Sequence, residues 1–127
     1  MALPITQHSA LLSTAPQASP EDVEQIARLG FASVINNRPD FEGGADQPTA
    51  ESLEAAVRAH GLEFYSLPFS SSDVSLELAH EFAQILGQAK KPVLLYCRTG
   101  TRSTMIYRLA LELGLLNSDD LSFVEPR

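Results

Sequence analysis

The chain has no tryptophan, a single cysteine and few cations, with 9 Lys and Arg against 16 Asp and Glu over 127 residues. One cysteine cannot close an intramolecular disulfide, so the fold must rest on its core. The acidic balance, a formal net charge of -7, argues against nucleic acids and anionic membranes, which are bound through basic patches. No apolar run approaches the roughly 20 residues that a membrane-spanning helix needs, which predicts a soluble protein without a membrane partner. The start Met1-Ala2-Leu3-Pro4-Ile5 has no basic segment followed by an apolar one, and Ala2 is not the Gly that myristoylation requires. These features predict a reducing, cytoplasmic setting. His8, His60 and His80 are scattered without ligand spacing, so neither a metal nor a cofactor is expected.

What remains has the composition of an ordinary globular chain, with 44% hydrophobic and 20% charged residues, and its length predicts one domain over 1–127. Helix patterns alternate with short apolar runs, the rhythm of an α/β fold. Ser19 is a natural N-cap, Pro20 suits the first helical position and Gly30 supplies a stop. Phe31 to Asn37 reads as a strand, ended by Arg38-Pro39-Asp40 and a polar Gly43-Gly44 loop expected to be mobile, where Phe41 could serve a lid. Thr49 caps a second helix with Leu53, Ala56, Val57 and His60 on one side, ended by Gly61. A second strand follows at Leu62 to Leu67. A third helix starts near Ser75 with Leu78, Phe82, Ile85 and Leu86 inward, and Gly87 interrupts it near its end. Pro92 to Tyr96 is an apolar run of the type buried on both faces of a parallel sheet. A last helix from Thr104 to Leu113 turns Met105, Ile106, Leu109, Ala110 and Leu113 inward. The tail from Asn117 to Arg127 offers only a short turn at Asp119-Asp120.

In a parallel sheet, ligands bind beyond the carboxyl ends of the strands, so the loops at 37–48, 68–74 and 97–103 should open onto one face. The chemistry falls in Cys97-Arg98-Thr99-Gly100-Thr101-Arg102-Ser103, which joins the last strand to the last helix. A helix N-terminus, with Arg98 and Arg102 nearby, favours a thiolate over a thiol at Cys97. Gly100 lets the loop curl so that its amides, with Thr99 and Thr101, converge on one anion. Arg102 at the loop end can fold its planar fork over that anion, whereas Arg98 could equally face solvent. Ser103 could reach the thiolate, although a helix cap is its simpler role. Arg38 either faces the same crevice or pairs with Asp40 at the surface.

The loop resembles the active loop of rhodanese-type sulfurtransferases, in which a Cys opens a six-residue loop often closed by Arg. With Val34-Ile35-Asn36-Asn37-Arg38-Pro39-Asp40, residues 5 to 116 also resemble the phosphatase-like domain of beta-lactamase-hydrolase-like proteins. That family is similar in fold to tyrosine and dual-specificity phosphatases, and some members are assigned to sulfur transfer. The resemblance implies a three-layer α/β fold with a mostly parallel sheet of four to five strands flanked by helices. It also makes a separate sulfide- or persulfide-metabolising enzyme a plausible partner.

Phosphatases of that type place five residues between Cys and Arg. Here four separate Cys97 from Arg102, and Ser103 stands at the phosphatase Arg position. Tyr96 precedes the Cys where many wider relatives carry His, and packing is its expected role. Pro68 is followed by Phe69 and Ser70 rather than by the Asp that supplies a general acid, and Asp73 lies farther on as a loop residue. The reading placed first is therefore sulfur transfer: Cys97 takes sulfane sulfur from a small anionic donor such as thiosulfate or a persulfide, then passes it to a low-molecular-weight thiol. A phosphatase working through phosphocysteine stands second, and a non-catalytic anion- or phosphoprotein-binding module third.

Overall fold

A computed structural model describes residues 2–125, so Met1, Pro126 and Arg127 of the expected single domain lie outside the described residues. The sheet is built from β1 (Thr6–Ser9), β2 (Leu12–Ala15), β3 (Ser33–Asn36), β4 (Glu63–Ser66) and β5 (Val93–Tyr96). Its order is β1-β2-β5-β3-β4, with β1 antiparallel to β2 and every other pairing parallel. The helices are α1 (Val23–Arg28), α2 (Ala50–Ala59), α3 (Leu76–Gln88) and α4 (Thr101–Glu112). This is the mostly parallel, helix-flanked α/β architecture that the alternating pattern predicts.

The centre of the sheet follows from β5, whose four residues are all buried. Successive side chains of a strand point to opposite faces. Val93 and Leu95 join a cluster with Phe82, Leu86 and Ile106 of α3 and α4, while Leu94 and Tyr96 join one with Val23, Leu53 and Val57 of α1 and α2. One apolar strand thus ties both helical layers to one sheet. Among the described residues no helix is long and apolar enough to cross a membrane.

The helix starts agree with their sequence signals. Thr49 Oγ1 accepts from the Ser52 amide at 3.2 Å and Ser75 Oγ from the Leu78 amide at 3.1 Å. Ser19 opens a 3-10 turn, Pro20–Asp22, that runs into α1, and its amide donates to the Asp22 carboxylate. His60 is the C-cap of α2, and the Asp119-Asp120 turn is present, with the Asp119 amide donating to Asn117 Oδ1.

Three expectations need correction. The β1–β2 hairpin carries no strand signal, because Ser13 and Thr14 of β2 are buried by pairing with β5 rather than by their own apolarity. The inward stripe of α4 is displaced: Ile106, Tyr107 and Ala110 are buried, whereas Met105 and Leu113 are exposed. Gly87 does not interrupt α3, which continues to Gln88. Its missing side chain instead makes room for the tail, because a Cβ there would stand 2.8 Å from Phe123 Cβ.

That contact generates a test of tail docking. At an exposed helix position Gly→Ala gains up to about 1 kcal/mol of helix propensity. Gly87→Ala is expected instead to destabilise by about 1 to 3 kcal/mol through overpacking against Phe123, measured as a lower urea midpoint.

Candidate active site

The carboxyl ends of β3, β4 and β5 lie side by side because the three strands are parallel, and the chain leaves each in a loop on the same edge. The ladder continues past the strands: the Asn37 amide donates to Tyr96 O at 2.8 Å, and the Phe69 amide to Asn37 O at 3.3 Å. The Cys97 amide donates to Ala15 O at 3.4 Å. Cys97 is thereby placed at the end of the central strand, fully buried, with the chain turning sharply behind it.

Gly100 makes that turn. Its φ of +92° is a left-handed conformation that a side chain would strain, and it is the N-cap from which α4 starts at Thr101, three residues earlier than the periodicity suggests. The turn aims the Gly100 amide at Cys97 Sγ, at 3.1 Å. Burial raises the Cys97 pKa, but donors from the loop, the Gly100 amide among them, outweigh it, and the thiol is held below its ordinary value. These are hydrogen bonds to the charged form, which favour a thiolate.

Arg102 lies at 11% side-chain exposure over this loop. Its Nη1 and Nη2 donate to the two carboxylate oxygens of Glu42 at 2.8 and 2.7 Å, and Nη1 also donates to Phe69 O at 3.0 Å. One guanidinium thus joins all three loops. Its pKa is raised, first by the Glu42 hydrogen bond and further by the Cys97 sulfur beside it. Glu42 is shared: Arg38 Nε donates to its Oε1 at 3.0 Å, while Arg38 Nη1 reaches Gln17 Oε1 at 3.2 Å. The Arg102 hydrogen bond is the largest of the causes that bring Glu42 down to about 2, so its carboxylate is ionised at neutral pH. A cavity of about 550 Å³ opens here, lined by Glu42, Ser70, Ser71, Arg98, Thr99, Thr101 and Arg102.

The structure places each residue singled out in the sequence. Arg98 and Thr99 are exposed at the cavity, and the hydroxyls of Thr99 and Thr101 are 3.0 Å apart across the loop. Arg38 is buried and pairs with Glu42, not with Asp40, whose carboxylate instead accepts from the Ala50 amide at the start of α2. Ser103 is not a cap but the third residue of α4, and its buried hydroxyl donates to Asn37 Oδ1 at 2.8 Å. Asp73 does not line the cavity: its carboxylate accepts from the Ser70 amide and hydroxyl, which hold it below the usual carboxyl range. Tyr96 packs in the core. The Gly43-Gly44 loop is tied down, since buried Gln47 accepts from the Gly43 amide at 2.7 Å and donates to Pro39 O at 2.8 Å.

Glu42 and Asn37 are the site residues that sequence reasoning missed. The signal for Glu42 was its place four residues after Arg38 in a glycine-containing loop. Asn37 offered none, since a polar residue at a strand end has many uses.

A buried cysteine at the end of a central parallel strand, with the Gly100 amide on its sulfur and an arginine at the head of the following helix, sits in a phosphatase-like α/β domain. The chain belongs to the family of the beta-lactamase hydrolase-like protein, phosphatase-like domain, whose model matches residues 5–113. It is 30% identical over 99 residues to the beta-lactamase hydrolase-like protein of Xylella fastidiosa, covering 78% of this chain and 23% of that protein. The chain therefore spans about a quarter of the length of the curated relatives it matches. Among solved structures, a candidate phosphatase of Neisseria meningitidis superposes with a TM-score of 0.80 at 33% identity, covering 92% of this chain and 82% of that one. The catalytic domain of the PP-IP phosphatase Siw14 of S. cerevisiae shares the fold, with a TM-score of 0.58 at 14% identity over 95% of this chain and 83% of that one.

Two predictions follow the hydrogen bonds. Gly100→Ala, which strains the left-handed turn that aims the Gly100 amide at the sulfur, should raise the Cys97 pKa, seen as a shift to higher pH in the thiolate's ultraviolet absorbance; an unmoved titration would remove the Gly100 amide from the cradle. For Glu42, a depressed carboxyl pKa adds stability that is complete above the unfolded value and lost as pH falls toward about 2. The stability gap between wild type and Glu42→Gln, from urea midpoints, should therefore stay constant from neutral pH to about 5 and narrow from there down to about 3.

Proposed function

We infer that this domain is a phosphatase-type hydrolase acting through Cys97. The phosphate of a monoester sits in the loop, held by the amides between Cys97 and Ser103 and by the Arg102 guanidinium. The Cys97 thiolate attacks phosphorus, a phosphorus–sulfur bond forms and the leaving group departs with the electrons of the broken phosphorus–oxygen bond. Water then attacks phosphocysteine, giving up a proton, and releases inorganic phosphate and the thiolate. The observation that carries this reading is the Gly100 amide on the Cys97 sulfur at 3.1 Å, at the start of α4 and with Arg102 beside it. Relatives named as phosphatase-like support it.

The geometry also bears on the leaving group. Glu42, the carboxylate lining the cavity, is ionised, and Asp73 is ionised and turned to Ser70. Neither carries a proton at neutral pH to give to a departing alkoxide. The reading therefore favours substrates whose leaving group departs as an anion, such as aryl phosphates and phosphoanhydrides. Siw14 is named for a PP-IP substrate, which is compatible with the second of these.

Sulfur transfer, the first choice on sequence, becomes the second reading, because the comparisons support a phosphatase-like domain and give it no support. One observation keeps it in play: the loop is a residue shorter than the phosphatase pattern, and sulfite leaves thiosulfate without a proton. A small anionic sulfur donor, a thiol acceptor and a separate persulfide-metabolising enzyme belong to that reading.

One assay separates them. The purified protein should release phosphate from an aryl phosphate, with none from Cys97→Ser and a loss of about 10²-fold or more in kcat/KM for Arg102→Lys, which cannot reproduce the planar fork. Thiocyanate formed from thiosulfate and cyanide without phosphate release would overturn the proposal in favour of sulfur transfer. Anion binding without either turnover would leave the binding module standing.

A further inference from the structure

A second cavity adjoins the anion cradle. It measures about 820 Å³ and runs along the outer side of α4, lined by Pro16, Val74, Met105 and Leu109 among others. Thr99 and Thr101 border both cavities, so the space above the loop continues into it. From Thr101 to Glu112 the helix rises about 16 Å, enough for a two-ring or alkyl-aryl group. Met105, which the helical periodicity would bury, instead shows 37% of its surface here.

Charge separates this groove from the cradle. The charged side chains lining it, Arg108 and Glu112, are of opposite sign and stand toward the C-terminal end of α4. The part nearest the loop is walled by threonines and apolar side chains. His8, whose Nε2 lies 2.8 Å from Thr14 Oγ1 at the groove wall, is held below the ordinary imidazole value, first by burial and then by Arg108. A ligand carrying several phosphates would find one offset cation along this path, in a chain of net charge -7. An apolar group would bury surface against Met105, Leu109 and Val74.

We propose that the groove along α4 is the subsite for the apolar body of the substrate, and that this protein takes an aryl phosphate with an apolar extension rather than a polyphosphorylated compound. The phosphate occupies the Cys97–Ser103 loop, the ring lies over Thr99 and Thr101, and the apolar extension beyond the ring reaches Met105 and Leu109. The proposal rests on the phosphate reading above and names its substrate class.

The test measures binding to the intact wild-type chain with phosphonates that cannot be cleaved. Calorimetry compares benzylphosphonate, 4-hexylbenzylphosphonate and inositol hexakisphosphate. The hexyl compound is expected to bind at least about tenfold more tightly than benzylphosphonate, from the apolar surface the groove covers. Met105→Glu should erase that gain while leaving the Kd of benzylphosphonate within about twofold, and Val74→Asp, on the opposite wall, should do the same. Equal affinity for the two phosphonates, a gain that survives both substitutions, or tighter binding of inositol hexakisphosphate would overturn the groove assignment alone. Failure of both phosphonates to bind would overturn the phosphate reading and this proposal with it.

Discussion

The sulfur of Cys97 is buried at the end of the central strand, and a buried anion is tolerated only where hydrogen-bond donors replace the water it has lost. Much of the local architecture serves that requirement. The Gly100 amide reaches the sulfur at 3.1 Å because Gly100 adopts a left-handed turn and α4 begins directly behind it. A Cβ on Gly100 would meet the Ala15 backbone at an ordinary contact distance of 3.6 Å, so the left-handed φ rather than space calls for glycine. The end of β2 meets the loop through the Cys97 amide, which donates to Ala15 O. The thiolate, the glycine and the missed hairpin are parts of one arrangement.

A second constraint is charge balance around the loop. Arg102 stands beside the Cys97 sulfur at an open cavity, and its charge is matched by a carboxylate. Glu42 holds Arg102 by two hydrogen bonds and is itself held by Arg38, so one carboxylate between two guanidiniums ties two loops, and the Arg102 bond to Phe69 O adds the third. The same lock has a chemical consequence. A carboxylate held at about 2 cannot serve as a proton donor, so the group that orders the site also limits which leaving groups it can release.

The cradle and the groove beside it divide the work of recognition. The cradle reads charge through amides and a guanidinium, whereas the groove along α4 offers dispersion and apolar burial with almost no net charge. Met105 belongs to that division: it is exposed on the face of α4 that lines the cavity, while Ile106 and Ala110 on the other face pack in the core. A phosphatase-like loop on a widely shared fold says little about substrate, and the surroundings of the loop carry the distinction.

Local chemistry determined much of this protein. Apolar runs in Val34-Ile35 and Val93 to Tyr96, capping residues at Ser19, Thr49 and Ser75, and the Cys-Gly-Arg spacing after β5 are short-range signals, and they specify parallel strands, helix starts and a thiolate loop in advance. Their ranking of chemistries was less secure, because a loop one residue short does not reveal which atoms surround it. Tertiary structure alone decided the rest. β2 is buried by pairing rather than by hydrophobicity; Gly87 is small because Phe123 arrives from the tail; Arg38 chooses Glu42 over Asp40 because Asp40 is taken by α2. Each of these is a contact between segments distant in sequence or a competition between neighbours for one partner. Periodicity and propensity describe how a segment meets its own neighbours along the chain, whereas such contacts depend on what the completed sheet brings alongside.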